Sequence, residues 1–129
     1  MVDGTVKVVD VASVADVEPG SSLRVDVDGK PVCLVNLDGE FYAIHDTCTH
    51  ALESLSGGYI EDGKIECPRH GAFFRIATGE AATPPATQSL PTFSVEVRDG
   101  RVLIDPTPSH PHPLLDRKEY GHSVRGGSS

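Results

Sequence analysis

The chain has 129 residues, of which 38% are hydrophobic and 5% aromatic, and a formal net charge of -8. This length fits one domain and excludes two full ones, and the longest apolar runs, of four residues, exclude a membrane-spanning helix, which needs roughly 20. The acidic charge disfavours nucleic acid as a partner, and the first ten residues lack the pattern of a secretory signal, so we expect a cytoplasmic protein.

Four Asp-Gly pairs mark the turns between the predicted strands. They occupy residues 28–29, 38–39, 62–63 and 99–100. Asp-Gly favours the left-handed backbone of two-residue hairpin turns, so the sequence predicts antiparallel hairpins. The predicted strands are 5–9, 23–27, 32–37, 41–45, 64–67, 73–76, 94–98 and 101–105. One helical turn is predicted at 12–15, and the alternation around Val95 and Val97 predicts that both valines face inward.

The composition changes after residue 105. Residues 106–113, PTPSHPHP, contain four prolines in eight positions, which excludes a central strand or a helix. We therefore divide the chain into a domain at 1–105 and a proline-rich C-terminal tail at 106–129. The tail histidines, which we expect to be solvated, are His110, His112 and His122. The apolar tail residues that predict packing on the domain or self-association are Leu114, Leu115 and Tyr120.

Two Cys–His pairs are the residues that point to chemistry. Cys48 and His50 form a Cys-x-His pair, and Cys67 and His70 form a Cys-x-x-His pair after a spacer of sixteen residues. Two thiolates and two imidazoles suit either a tetrahedral zinc ion or a binuclear iron–sulfur cluster in which two histidines replace two cysteines on one iron. Because each loop contributes one Cys and one His, the spacing favours the cluster. Cys33, in the apolar segment VCLV, is predicted to be a core residue without a role at the site.

This pattern resembles the Rieske iron–sulfur proteins, and the small Rieske ferredoxins in particular. The matching segments are FYAIHDTCTH, LSGGYIEDGKIECPRHGAFF, the turn TG at 78–79, TPPA and SVEVRDGRVLI. The resemblance covers roughly the first 105 residues. It implies an all-β fold of antiparallel sheets in a sandwich, with a small cluster-binding subdomain made of two hairpin-like loops at about residues 45–86.

The resemblance also implies a cofactor and its ligands. The cofactor is one [2Fe-2S] cluster, with Cys48 and Cys67 on the inner iron and His50 and His70 on the outer iron through their δ nitrogens. Pro84 and Pro85 match the loop that shields the cluster in the family. The residues expected to form a small contact patch around the ligands are Thr49, Ala51, Leu52, Pro68, Arg69 and the two prolines.

Within the family, the acidic net charge of -8 and two missing hydroxyls favour a low reduction potential. Some Rieske proteins have a disulfide between the ligand loops, but Arg69 stands where the second loop would have its cysteine, which disfavours a respiratory-complex subunit. High-potential relatives have a serine and a tyrosine where this chain has Ala72 and Phe74. Without hydroxyl donors to the cluster sulfurs, we expect a potential near the lower end of the range from about -150 to +300 mV.

The resemblance implies an electron carrier of a multicomponent oxygenase system for aromatic catabolism, not an enzyme by itself. Its donor would be a flavin-dependent NAD(P)H ferredoxin reductase and its acceptor a terminal aromatic-ring oxygenase. No membrane partner is expected. A Rieske-like small subunit of NAD(P)H nitrite reductase is a second interpretation. A structural zinc module with an interaction role is a third.

Overall fold

The computed structural model describes residues 7–49, 51–69, 71–84 and 86–116. This part of the chain contains ten β-strands, one 3₁₀ turn at Val14–Asp16 and no α-helix. The strands are β1 (Val9–Ser13), β2 (Ser21–Val27), β3 (Lys30–Leu37), β4 (Glu40–His45), β5 (Ile60–Glu61), β6 (Lys64–Glu66), β7 (Phe73–Arg75), β8 (Thr92–Phe93), β9 (Val95–Arg98) and β10 (Arg101–Ile104). Every strand pair recorded for these residues is antiparallel, which confirms the predicted all-β fold.

Within the described ranges, no helix is long and apolar enough to span a bilayer.

The four Asp-Gly pairs between predicted strands form the predicted hairpin turns. In each pair both residues have positive φ, from 51° at the aspartates to 96° at one glycine, as the mirror-image type I′ turn requires. The turns join β2 to β3, β3 to β4, β5 to β6, and β9 to β10. The predicted hairpin chemistry is therefore confirmed.

The strands form three sheets, ordered β1-β10-β9, β2-β3-β4-β8 and β5-β6-β7. In the four-stranded sheet, β3 is apolar on both faces. Val32 and Leu34 belong to a core shared with β1 and β10, whereas Cys33 and Val35 belong to a second core shared with the β5-β6-β7 sheet and its neighbouring loops. Since successive strand residues face opposite sides, the four-stranded sheet is the middle layer, covered on both faces.

The first strand lies later in the chain than predicted. Residues 5 and 6 of the predicted 5–9 strand lie outside the described residues, and β1 continues to Ser13, through positions predicted as a helical turn. The turn begins at Val14, because the Ser13 hydroxyl accepts from the Ala15 N–H and the Asp16 carboxylate accepts from the Ser13 N–H. The residues SVAD at 13–16 carry this capping pattern in the sequence.

The other predicted strands match within two residues at each end, and the predicted 94–98 strand is β9. The two-residue strands β5 and β8 were not predicted. Val97 pairs with the fully buried Val102 and therefore lies on the inward face of its sheet, as predicted. It is nevertheless 49% exposed, because β9 is an edge strand with no neighbouring strand on one side.

Residues 106–116 run back along the domain. The Ser109 N–H donates to the Thr92 carbonyl oxygen at 2.9 Å, and the His112 side chain is completely buried. The expectation of solvated histidines is therefore wrong for His112. His122 and Tyr120 lie outside the described residues, and the division of the chain at residue 105 stays a prediction.

Two glycines with the same backbone conformation allow a matched stability test. Gly79 and Gly29 have φ of 81° and 82°, but an added Cβ at Gly79 would overlap the Leu90 carbonyl oxygen, whereas at Gly29 it would meet nothing within 4 Å. We expect Gly29→Ala to cost about 1 kcal/mol through left-handed strain alone, and Gly79→Ala to cost about 3 kcal/mol or more because backbone must also move. Urea unfolding measures both, and equal losses would contradict the close approach.

Candidate metal centre

The first ligand loop, residues 46–55, begins with a buried carboxylate. Asp46 is 1% exposed, and its oxygens accept hydrogen bonds from the Ser54 hydroxyl at 2.5 Å, the Ser56 hydroxyl at 2.6 Å and the Ser56 N–H at 2.8 Å. A buried carboxylate is stable only when its oxygens are paired in this way. Asp46 therefore ties the start of the loop to its end.

Cys48 lies inside this closed loop. Its N–H donates to the Glu53 carbonyl oxygen at 2.9 Å, and the Leu55 N–H donates to the Asp46 carbonyl oxygen at 2.7 Å. The neighbouring Thr49 hydroxyl donates to the Gln88 carbonyl oxygen at 2.8 Å, which joins the loop to the segment after the prolines. The Cys48 side chain is fully buried.

The second ligand loop, residues 67–72, is a tight turn between β6 and β7. The Cys67 N–H donates to the Ala72 carbonyl oxygen at 2.7 Å, and the Gly71 N–H donates to the Cys67 carbonyl oxygen at 3.0 Å. Gly71 has φ of 75°, a conformation that glycine adopts without steric cost. The Cys67 side chain is also fully buried.

The two loops meet in one core. Cys48 and Cys67 belong to the same buried cluster as Ala72 and Phe74, and an ion pair of 3.1 Å joins Arg69 of the second loop to Glu53 of the first. The structure thus brings the two predicted cysteine ligands into one apolar environment. His50 and His70, the two predicted histidine ligands, lie outside the described residues.

The chemistry of these thiols fits a metal centre completed by further ligands. All three cysteines are in the described part of the chain and none forms a disulfide. No group of three His, Cys, Asp or Glu side chains is placed to hold a metal ion within the ranges that the structure describes. Two buried thiols from two loops would therefore need additional ligands, and His50 and His70 belong to the same loops.

The predicted contact patch is exposed in part. Leu52 is 70% exposed, and Pro68, Arg69 and Pro84 are exposed. Thr49 is buried, and its hydroxyl donates to the Gln88 carbonyl oxygen. Its inclusion in the patch was therefore wrong. Pro85 lies outside the described residues.

Sequence reasoning did not find three residues that support the site. Asp46 acts through hydroxyls eight and ten positions away, Glu53 pairs with a residue of the other loop, and His112 reaches the first loop from the C-terminal segment. No motif signals such contacts, although the fold makes them.

Known proteins resemble this chain over most of its length. A family model described as the Rieske [2Fe-2S] domain matches residues 7–94. The ferredoxin component of the naphthalene 1,2-dioxygenase system of Pseudomonas putida is 40% identical over 101 residues, which are 78% of this chain and 97% of that protein. The 3-phenylpropionate/cinnamic acid dioxygenase ferredoxin subunit of Escherichia coli is 47% identical over 93 residues, 71% of this chain and 87% of that one.

A solved structure of a ferredoxin–oxygenase complex contains a chain with a similar fold. It is a complex of reduced oxygenase and oxidized ferredoxin in carbazole 1,9a-dioxygenase, and one of its chains superposes with a TM-score of 0.76 at 37% identity. The superposition covers 81% of this chain and 97% of that one.

Cys33 should be chemically inert in the folded protein. Burial, followed by the nearby charge of Asp46, raises the pKa of Cys33 to about 12, so at pH 8 roughly one thiol in ten thousand is the reactive thiolate. We expect iodoacetamide to leave Cys33 unmodified in the folded protein and to label it fully in guanidinium chloride. Peptide mass spectrometry checks this, and rapid labelling of the folded chain at Cys33 would contradict the burial.

Proposed function

The chain belongs to the Rieske [2Fe-2S] domain family, and we propose that it carries single electrons from a flavin-dependent NAD(P)H ferredoxin reductase to a terminal aromatic-ring oxygenase. The observation that carries this proposal is the pair of buried thiols, one from each of two joined loops, beside an exposed surface of the same loops. The similarity to ferredoxin components of dioxygenase systems over almost their whole length supports it.

We propose Cys48, His50, Cys67 and His70 as the cluster ligands. Two observations support the cysteines: both are fully buried, and both lie in the same core. The histidines follow from the Cys-x-His and Cys-x-x-His spacing within the two loops. When bound, the cluster supplies reversible one-electron chemistry, with a potential set by its ligands and by hydrogen bonds to its sulfurs.

The chain's own residues hold this site and present it to partners. The hydrogen bonds of Cys48 and Cys67 to their loops fix the thiols, and burial keeps water away from them. Leu52, Pro68 and Pro84 are exposed apolar residues of the same loops and the proline segment, and we propose that they form the contact surface. Transient redox complexes use small interfaces, so this surface suits brief contacts with a reductase and an oxygenase.

The spectrum of the purified protein tests the proposal. We expect a red-brown sample whose reduced form gives a rhombic electron paramagnetic resonance signal of low average g, as two histidine ligands on one iron produce. Cys48→Ser, Cys67→Ser, His50→Ala and His70→Ala should each abolish or alter that signal, whereas the matched control Cys33→Ala should retain it because Cys33 is a core residue.

Other outcomes separate the remaining interpretations. A colourless, zinc-containing sample after anaerobic purification and attempted reconstitution would contradict the electron-transfer proposal and favour the zinc module. A large subunit that copurifies stably would favour the nitrite reductase interpretation. Electron transfer from a ferredoxin reductase to an oxygenase, measured by stopped-flow with the purified components, would support the carrier.

Two buried positions should control the potential. Ala72 and Phe74 are fully buried in the core that contains Cys48 and Cys67, so a hydroxyl at either position is near the proposed cluster. A new donor to a cluster sulfur stabilises the added electron. We therefore expect Ala72→Ser and Phe74→Tyr each to raise the midpoint potential by roughly 60 mV, equivalent to about 1.4 kcal/mol.

The control for this test is Phe73→Tyr. Phe73 is half-buried and packs edge-on against Tyr59 at 6.4 Å between ring centroids, on the other face of β7. Its added hydroxyl should leave the potential unchanged. Potentiometric titration measures all three variants, and a wild-type midpoint above roughly +100 mV would contradict the low-potential assignment.

A further inference from the structure

The C-terminal segment at residues 106–116 lies beyond the residues matched by the family model, and it contacts the domain through specific hydrogen bonds. The Ser109 N–H donates to the Thr92 carbonyl oxygen and the Thr92 N–H donates to the Ser109 hydroxyl, both at 2.9 Å. Thr92 is in β8, one of the two edge strands of the four-stranded sheet. The segment therefore satisfies an edge that would otherwise be open.

His112 is the deepest residue of this segment. Its side chain has no exposed surface. The N–H groups of Leu114 and Leu115 point to its Nδ1 at 3.0 and 3.2 Å, and its Nε2 lies 2.8 Å from the Thr47 carbonyl oxygen. Because an N–H group can only donate, Nδ1 is the acceptor, the ring proton is on Nε2, and Nε2 donates to Thr47.

The Thr47 peptide groups are held by two imidazoles. The Thr47 N–H donates to His45 Nδ1 at 3.1 Å, while the Thr47 carbonyl accepts from His112. The two rings pack with centroids 4.6 Å apart, tilted by 55°. Thr47 immediately precedes Cys48, so these rings fix the backbone from which the Cys48 side chain extends.

The protonation of both rings agrees with this geometry. Burial, and secondly the neighbouring His112, lowers the pKa of His45 to about 4. Burial also lowers the pKa of His112 below its ordinary value. Both rings are thus neutral at pH 7, and each keeps an acceptor nitrogen for a backbone N–H.

The backbone of His112 is fixed by a reciprocal contact. The Asp116 carboxylate accepts from the His112 N–H at 2.8 Å, and the Asp116 N–H donates to the His112 carbonyl oxygen at 2.9 Å. This closed turn fixes the orientation of the His112 ring that contacts the first ligand loop. Side chains held in this way lose less entropy when they make a contact.

We propose that residues 106–116 form a strap that holds the first ligand loop in place, with His112 as a positioning residue for Cys48. This inference rests on the proposed role of Cys48 as a cluster ligand. A donor at His112 Nε2 keeps the Thr47–Cys48 peptide in one orientation, which keeps the thiol where a metal would bind it. If that peptide could change its orientation, the Cys48 thiol would move and the bound metal would dissociate more readily.

Matched variants of the full-length protein with its cluster test the strap. His112→Gln places an amide nitrogen as far along the side chain as Nε2, so it keeps the donor to Thr47 and loses only the acceptor for the Leu114 and Leu115 N–H groups. His112→Asn ends at the position of Nδ1, so it keeps an acceptor for the Leu114 N–H but cannot reach Thr47. His112→Met fills the buried space without a donor. His110→Ala is the control for loss of an imidazole within the strap, since that ring contacts the Ser89 carbonyl and the Ser109 hydroxyl and not the ligand loop.

Three measurements follow the loop and the site. Hydrogen exchange by mass spectrometry should be about tenfold faster in residues 46–55 of His112→Asn and His112→Met, the factor that one lost buried hydrogen bond gives, and unchanged in β2 and β3. Loss of visible absorbance in a chelator should accelerate by a similar factor, and the reduced paramagnetic signal should broaden. His112→Gln and His110→Ala should stay within about twofold of wild type in all three.

The outcomes separate the strap from the proposed function. If the wild-type protein has no cluster signal, the proposed function fails together with the ligand role of Cys48. If the cluster is present but His112→Asn and His112→Met match wild type, the strap alone is wrong. Equal impairment of His112→Gln and His112→Met would also overturn it, since the donor to Thr47 would then have no role. If His112→Asn fails to fold, the comparison of glutamine with methionine decides.

Discussion

Both faces of β3 are buried, and the ligand loops depend on that constraint. Val32 and Leu34 pack towards the sheet that contains β1 and β10, which closes one side of the middle layer. Cys33 and Val35 project to the other side, where the core consists largely of residues from the loops and the small β5-β6-β7 sheet. A middle strand apolar on one face only would leave the thiols of the loops without an interior in which to be buried.

In that core, the N–H and C=O groups of the loops cannot form the regular hydrogen bonds of paired strands, so they need other partners. Asp46 provides two carboxylate oxygens for hydroxyl and N–H donors of the same loop, and the two imidazoles hold the peptide groups of Thr47. Leaving one such group unpaired costs about 1–3 kcal/mol, against a total stability of about 5–15 kcal/mol for a domain. The geometry of the site and the stability of the fold therefore depend on the same hydrogen bonds.

Sequence reasoning succeeds where the signal is local. An Asp-Gly pair specifies its own turn through the conformations available to two residues, so all four hairpins were predictable. The spacing within each Cys–His pair is equally local. By contrast, the contact of Arg69 with Glu53 spans sixteen positions and that of His112 with Thr47 spans sixty-five. Such contacts depend on how the loops and the C-terminal segment pack, and the Pro-rich composition of that segment, read as a sign of exposure, concealed a buried histidine.

The net charge of the whole chain and the charges at the two ligand loops act differently on the approach of a partner. The net charge of -8 creates a field that would steer a partner with a basic surface from a distance. At the loops, however, Arg69 is neutralised by Glu53, and the neighbouring Leu52 is largely exposed. An exposed pair of this kind adds little to stability, but it leaves the proposed contact surface without a local excess of charge. Steering by the whole charge speeds association, while a small contact without strong ion pairs allows fast release. That combination is what a protein needs when it must exchange one redox partner for another between successive electrons.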